Sequence, residues 1–325
     1  MFSRARSGLW HGLEALSLEA GDVVLVPDYN HGSEVEALVR AGIQCRFYEV
    51  TGSLEPDERR LKSLLGPDVR ALYLIHYFGI PQDAVRWRAW CDQHELFLIE
   101  DAAMAFLSSS EGRPIGSFGN LSIFCLYKTF GLPDGGAVVC SEPLPPITGA
   151  RRKGLGPVAT RHGSWLAQRS TLFATAHAAL GGDKEYEPGE DFDLLDINEP
   201  ASHATTRLIG KIAQPQAAQR RRDNFHRLHR ELAGHVRPLF EEIPDGSSPV
   251  AYMFLADRIE QNRLRATLDR HGVRLANFWL VPHPSLPDGG SDRSRTLRSN
   301  VVGLPVHQEL RIEDLELIVS AAKNA

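Results

Sequence analysis

The sequence predicts an α/β fold, with a mostly parallel sheet sandwiched by helices and a smaller α+β domain after it, on three observations. Short β-branched apolar runs alternate with amphipathic runs of helical length from the N-terminus to Asp101, as parallel strands joined by covering helices require. The alternation breaks after Cys140 in a stretch rich in proline, glycine and arginine, SEPLPPITGARRKGLGP. The polar residues His31, His76, Asp101 and Lys128 follow or end the apolar runs, where open α/β sheets hold their ligands.

In chain order, SGLWHGLEALSL (7–18) spaces Leu9, Leu13 and Leu16 as one helix face. Its start, near Arg6 and Ser7, is either a receptor for a phosphate group or a frayed terminus. The run VVLVP (23–27) is a strand stopped by proline, and SEVEALVRAG a helix. CRFYEV (45–50), ALYLIHYFG (71–79) and LFLIED (96–101) read as strands, with helices PDERRLKSLL (56–65) and PQDAVRWRAWCDQH (81–94) between them. A further strand leads to Lys128, and Asp134-Gly135-Gly136 reads as a turn between strands. Beyond it, 164–182 reads as a helix, 183–200 as an acidic excursion and His203 to Leu232 as one long helix with a kink or break at Pro215. The last part holds the strand VAYMFLAD, a helix around QNRLRATLDRHG, the strand-like VRLANFWL, a loop over 282–297, NVVGLPV and a terminal helix. The implied organisation is a large domain over 1–145, an irregular connection over 146–200 and a small domain over 201–325.

At 325 residues, 42% hydrophobic and 24% charged, the chain has the balance of a globular protein of about two domains. The net charge of −5 gives no overall attraction to nucleic acid or an anionic membrane. No apolar run reaches the ~18 residues of a spanning helix, and MFSRARSGLW lacks a signal-peptide core, so a cytoplasmic protein with neither membrane nor nucleic-acid partner is expected. Four scattered cysteines read as small buried hydrophobes in a reducing compartment. Asp223, His226 and His229 sit beside Arg220 to Arg222 on a charged helix, which reads as solvated or dimer-facing, and no metal site is expected. Trp87 and Trp90 read as core.

Only six lysines occur, so chemistry that needs a primary amine has few candidates. An acid ending one strand and a lysine after the next match two needs of pyridoxal phosphate chemistry: an anion against the pyridine nitrogen and an amine for the Schiff base. Taken alone, both residues are also ordinary features of strand ends.

The motifs GDVVLVP, IHYFG (75–79), IEDAA (99–103), GSFG (116–119), Lys128 with DGGAVV, and GLPVHQEL (303–310) resemble, in order and spacing, the DegT/DnrJ/EryC1/StrS aminotransferases, the sugar aminotransferases of pyridoxal phosphate fold type I. The resemblance implies an enzyme that moves an amino group from an amino acid to a keto-sugar or similar carbonyl compound, with pyridoxal 5'-phosphate as cofactor. It implies that Asp101 pairs with the ring nitrogen and that Lys128 anchors the cofactor and carries the proton. His31 would stack on the ring, or else is a histidine of a polar loop. Ala5 and Arg6, followed by Ser7, would lie under the phosphate, and Asn198 of a partner subunit would complete that site, implying a homodimer.

Met104 stands where the family has a glutamine at the cofactor. The shortened FCLYK leaves Ser122 or Cys125 in the place of a phosphate-binding serine, and the family's usual N-terminal segment is expected to be missing in part. Two other functions stay open on these departures: a non-catalytic binding or regulatory relative, and a pyridoxal phosphate-dependent dehydratase or decarboxylase.

Overall fold

A computed structural model describes residues 1–149, 192 and 194–325. The expected helix over 164–182, and most of the connection expected over 146–200, lie outside the described residues.

The first sheet is built from β1 (Val23–Pro27), β2 (Gln44–Tyr48), β3 (Val69–Ile75), β4 (Phe97–Asp101), β7 (Leu121–Cys125) and β8 (Gly136–Cys140). A two-residue hairpin, β5 (Ser109–Ser110) with β6 (Arg113–Pro114), lies between β4 and β7. The sheet order is β2-β1-β3-β4-β7-β8, with only β8 antiparallel to its neighbour. From β1 the chain steps to β2 on one side and then crosses to β3 on the other, and this reversal leaves a crevice at the carboxyl ends of the strands. Every residue of β1 is buried, as a strand covered on both faces must be.

The helices of this half are α1 (Ala5–Ala15), α2 (Ser33–Arg40), α3 (Glu58–Leu64), α4 (Ala84–Gln93) and the short α5 (Leu126–Thr129). Helix α1 packs on β7 and β8. It does so closely because Gly12 has no side chain: a Cβ there would stand 2.2 Å from Leu121 Cδ1. Trp87 and Trp90 are buried as expected.

Ahead of α1, the backbone of Phe2 exchanges hydrogen bonds with Gly136 at 2.8 and 2.7 Å, and Gly135 N–H donates to Ser3 O at 3.0 Å. A Cβ on Gly136 would lie 2.2 Å from the carbonyl carbon of Arg4, so only glycine lets the two backbones meet. The Asp-Gly-Gly segment is therefore more than a turn. Asp134 accepts from Ser202 N–H at 3.0 Å and from the Thr205 hydroxyl at 2.6 Å, tying the lysine loop to the chain beyond residue 200.

Glu100 and His76 are fully buried. The Glu100 carboxylate accepts from Gly116 N–H at 3.0 Å, Phe118 N–H at 2.9 Å, Gly119 N–H, the Ser122 hydroxyl at 3.3 Å and His76 Nε2 at 3.2 Å. His76 Nδ1 accepts from Gln82 N–H at 3.1 Å, so Nε2 carries the donated proton. This pair holds the GSFG loop and β3 together. His76 is a structural residue, not the ligand-site residue its strand-end position suggested.

Burial alone would push the Glu100 carboxyl up, but the bonds from His76 and the loop N–H groups outweigh it and hold it below the usual carboxylate range. Its stabilising contribution is then present above about pH 4.3 and is lost as pH falls through the lower folded value. Thermal unfolding of Glu100→Gln and the parent from pH 7 to 3 checks this: the gap in midpoint should be wide at pH 7 and close in acid, and a constant gap would contradict it.

The second half contains α6 (His203–Ile212), α7 (Pro215–Leu232), α8 (Arg258–Leu268), α9 (Asp292–Asn300) and α10 (Ile312–Lys323). Its sheet is antiparallel, in the order β11 (Ala276–Asn277), β12 (Val301–Pro305), β10 (Ala251–Leu255), β9 (Arg237–Pro238). The stretch from His203 to Leu232 is two helices, because Pro215 has no N–H to donate and occupies the first turn of α7. Three expectations are corrected here. Arg221 on α7 is 2% exposed, so that face is neither solvated nor dimer-facing at this residue. The loop over 282–297 contains the start of α9, capped by Ser291, whose hydroxyl accepts from Ser294 N–H at 3.2 Å. In VRLANFWL only Ala276–Asn277 pairs, and Trp279 leaves the strand conformation at φ 56°.

Candidate active site

Two adjoining cavities open at the carboxyl ends of the first sheet. The smaller, about 320 Å³, is bordered by Ala5 and Arg6 from the start of α1, His31 and Glu34, Asp101, Cys125 and Lys128. The larger, about 800 Å³, is shared with the second half and is bordered by Met104, Arg265, Arg274, Asn277 and Trp279. Lys128 and His31 border both.

Asp101 ends β4 and is 7% exposed. Its Oδ2 accepts from the Tyr73 hydroxyl at 2.8 Å and its Oδ1 from Ala103 N–H at 2.9 Å, so the carboxylate is held in one orientation on the cavity wall. Lys128 follows β7 on the single turn of α5, which is closed by Leu126 N–H to Gly135 O at 2.8 Å and Phe130 N–H to Leu126 O at 3.0 Å. Burial would pull the Lys128 amine down, but the acidic groups around it, Cys125 and Tyr127 first and then Asp101 and Glu34, leave it above the ordinary lysine range. Burial, with the cations Lys128, Arg6 and Arg298 nearby, brings His31 down to about 3, so its ring is neutral at physiological pH. Burial likewise pushes the Cys125 thiol up.

Two buried arginines frame this site. Arg298 of α9, 4% exposed, donates to Asn30 O at 2.8 Å, Trp279 O at 2.7 Å and Asp28 O at 2.9 Å, joining the loop that carries His31 to the far wall of the larger cavity. Arg221 donates to Thr129 O at 2.7 Å, Pro249 O at 3.1 Å and Gln308 Oε1 at 2.7 Å. Thr129 is the residue after Lys128, so Arg221 fixes the lysine turn from the second half. Tyr29 and Phe78 pack on Trp279 with ring centroids 4.8 and 5.6 Å apart, closing the seam.

Of the residues singled out in the sequence, Ala5, Arg6, His31, Asp101, Cys125 and Lys128 meet around the smaller cavity. The others do not. Ser122 is turned away because side chains alternate along β7: Ile123 and Cys125 face the cavity, and Ser122 bonds to Glu100 on the other side. Ser7 is buried within α1 and does not border the cavity. Met104 borders the larger cavity instead, and Asn198 bonds to Thr148 O at 2.9 Å away from both. Sequence reasoning missed Glu34, Arg221 and Arg298; each lies in a helix whose charged residues look like a solvated face.

The smaller cavity fits pyridoxal phosphate by its donor set. An oriented carboxylate, an amine and a neutral imidazole border one space. At one end lie Arg6 and the first turn of α1, which has no side-chain cap and so presents its N–H groups and positive dipole end to an anion.

A family model described as the DegT/DnrJ/EryC1/StrS aminotransferase family matches residues 2–152. The erythromycin biosynthesis sensory transduction protein EryC1 of Saccharopolyspora erythraea is 34% identical over 336 residues, which is 96% of this chain and 81% of that protein. The UDP-N-acetyl-3-dehydro-alpha-D-glucosamine 3-aminotransferase of Acidithiobacillus ferrooxidans is 24% identical over 327 residues, 96% of this chain and 79% of the relative. Among solved structures, Spr1654 from Streptococcus pneumoniae in its PLP-form shares the fold, with a TM-score of 0.68 at 19% identity over 99% of this chain and 85% of the other.

Proposed function

Since the chain belongs to the DegT/DnrJ/EryC1/StrS aminotransferase family, we propose that it moves an amino group from an amino acid to a keto-sugar, and that Lys128 and Asp101 are the residues that act on its cofactor, pyridoxal phosphate. The observation that carries this reading is that the Lys128 amine and the Asp101 carboxylate border the same cavity of about 320 Å³ at the strand ends.

Bound there, the cofactor supplies an aldehyde carbon and a ring able to accept an electron pair. Asp101, fixed by Tyr73 and Ala103, would face the ring nitrogen and keep a proton there. His31 would cover a ring face as a neutral imidazole, and Arg6 with the α1 N-terminus would hold the phosphate. Lys128 Nζ would be the covalent anchor, and the same nitrogen, once free, would take the proton from the substrate carbon and give it up two atoms further along, a 1,3 shift. The larger cavity, entered past Lys128 and bordered by Arg265 and Arg274, suits a sugar that carries phosphate groups. A 3-dehydro sugar nucleotide is what the named Acidithiobacillus relative acts on.

We further propose that the chain works as a homodimer in the cytoplasm. Asn198 stands outside both cavities of its own chain, with its amide nitrogen on Thr148 O, which agrees with a role in a partner's site rather than its own. All four cysteines are free, and no helix among the described residues is long and apolar enough to cross a membrane.

Mixing the purified protein with pyridoxal phosphate tests the reading. A visible absorbance band should form, borohydride should fix the label on Lys128, and an amino donor should bleach the band. Absence of the band, or a label on another residue, would overturn it.

A further inference from the structure

Between β11 and α9 the chain runs against the first half of the molecule and is held at three points. Arg298 donates to Trp279 O at 2.7 Å, and the same guanidinium bonds to Asn30 O and Asp28 O. Ser291 N–H donates to Asp28 Oδ2 at 2.9 Å. Between these two holds, His283 Nε2 meets Glu36 Oε2 of α2 at 2.7 Å, and the two residues are only 6% and 7% exposed. His283 Nδ1 accepts from Ser285 N–H at 3.1 Å, so Nε2 carries the proton that is donated to Glu36. The ring is therefore oriented by its own turn, which Leu286 N–H closes on His283 O at 3.0 Å.

Glu36 does not need His283 to meet its charge. Its Oε1 already accepts from Arg40 Nε at 2.8 Å, one turn along the same helix. What the histidine adds is a link across 247 positions of the chain. On one side of that link, α2 carries Ser33 and Glu34 at the border of the smaller cavity. On the other side, Trp279, Leu280 and Val281 border the larger cavity. Leu280 and Val281 are exposed large apolar residues lying between the Arg298 hold and the His283 hold. Side chains that face a cavity rather than the core take their position from the backbone that carries them.

We propose that His283 and Glu36 are positioning residues for the amino acceptor: their hydrogen bond fixes Leu280 and Val281 as an apolar wall of the larger cavity, against which the acceptor sugar packs. Binding pockets are lined in this way, with apolar walls supplying contact area and a few polar groups supplying orientation. The inference deepens the aminotransferase reading and rests on it. An amino acid donor is smaller than a sugar that carries phosphate groups, and it needs the space beside Lys128 rather than this wall. The pair should therefore matter to one half of the reaction and not to the other.

Glu36→Leu breaks the bond from outside the segment it holds. Hydrogen exchange of the apoprotein, read by mass spectrometry on a peptide covering 279–286, should quicken about tenfold, as expected for loss of one charge-assisted bond. In the holoprotein, E36L should raise KM for the acceptor about tenfold, with kcat within about twofold of the parent. The probe is whichever of a UDP-linked 3-dehydro and a dTDP-linked 4-dehydro hexose the parent turns over faster. Bleaching of the visible band by L-glutamate should keep the parent's rate within about twofold. Glu36→Gln keeps an oxygen for Nε2 and should lie closer to the parent than to E36L in both measurements. His283→Leu opens the same bond from the other side and replaces E36L if that variant does not fold. Unchanged exchange over 279–286 would overturn the proposal. So would an unmoved acceptor KM, an equal loss in the glutamate step, or E36Q falling as far as E36L. A parent that transfers no amino group to either probe would overturn the aminotransferase reading and this proposal with it, whereas an active parent with an unmoved KM in E36L would overturn this proposal alone.

Discussion

Lys128→Ala is expected to abolish amino transfer, lowering kcat by at least ~10⁴-fold, while the protein stays folded. Positioned acid–base groups contribute about 10² to 10⁴ in rate, and this side chain is also the proposed covalent anchor, so both contributions go at once. The fold should be indifferent, because the side chain reaches into cavity space rather than into the core, and the α5 turn is closed by backbone bonds that alanine keeps. Lys128→Arg should lose as much, since guanidinium keeps the charge but neither gives up its proton nor serves as the amine. Turnover with an amino donor and a keto-sugar acceptor, read beside thermal unfolding, checks both variants. Residual activity within tenfold of the parent would remove Lys128 from the chemistry.

The second large effect is on stability. Arg221→Met should cost about 3–5 kcal/mol, because it leaves Thr129 O, Pro249 O and Gln308 Oε1 without their buried donor. Burial brings Arg221 down only to about 10, so the guanidinium is charged at neutral pH and its three bonds are charge-assisted. Arg221→Lys should recover only part of the loss, since one ammonium does not reproduce the planar fork. Denaturant unfolding measures the cost. The rate of cofactor release measures the second consequence, a loosened lysine turn, and it should rise in both variants. A loss below about 1 kcal/mol would show that the three acceptors find other donors.

The reasons that some parts were legible in the sequence and others were not are physical. Strand and helix alternation announced the parallel sheet because period-two and period-3.6 patterns follow from side-chain direction alone. Asp101 and Lys128 stood out because strand ends in such a sheet converge, and because lysine is scarce in this chain. Ser122 was misplaced by one residue of alternation, which moves a side chain to the opposite face of the sheet. Glu34 was hidden because an acid in a helix's first turn is common on solvated helices. Arg221 was hidden among three arginines, where composition cannot tell which one turns inward. Burial of that kind depends on the carbonyls supplied by the turn after Lys128, and those lie 92 residues away in the chain.

The pairing of Phe2 with Gly136 also acts as a gauge. Residues 1–4 lead directly into α1, whose first turn borders the smaller cavity, and Gly136 begins the strand that follows the lysine turn, so one backbone ladder ties the two together. The length between the start of α1 and the lysine turn is thereby set by main-chain geometry rather than by side-chain rotamers. Side chains around the cavity can change while that length stays the same. An insertion of one residue between Phe2 and Ala5 would alter that length, where most single side-chain replacements would not.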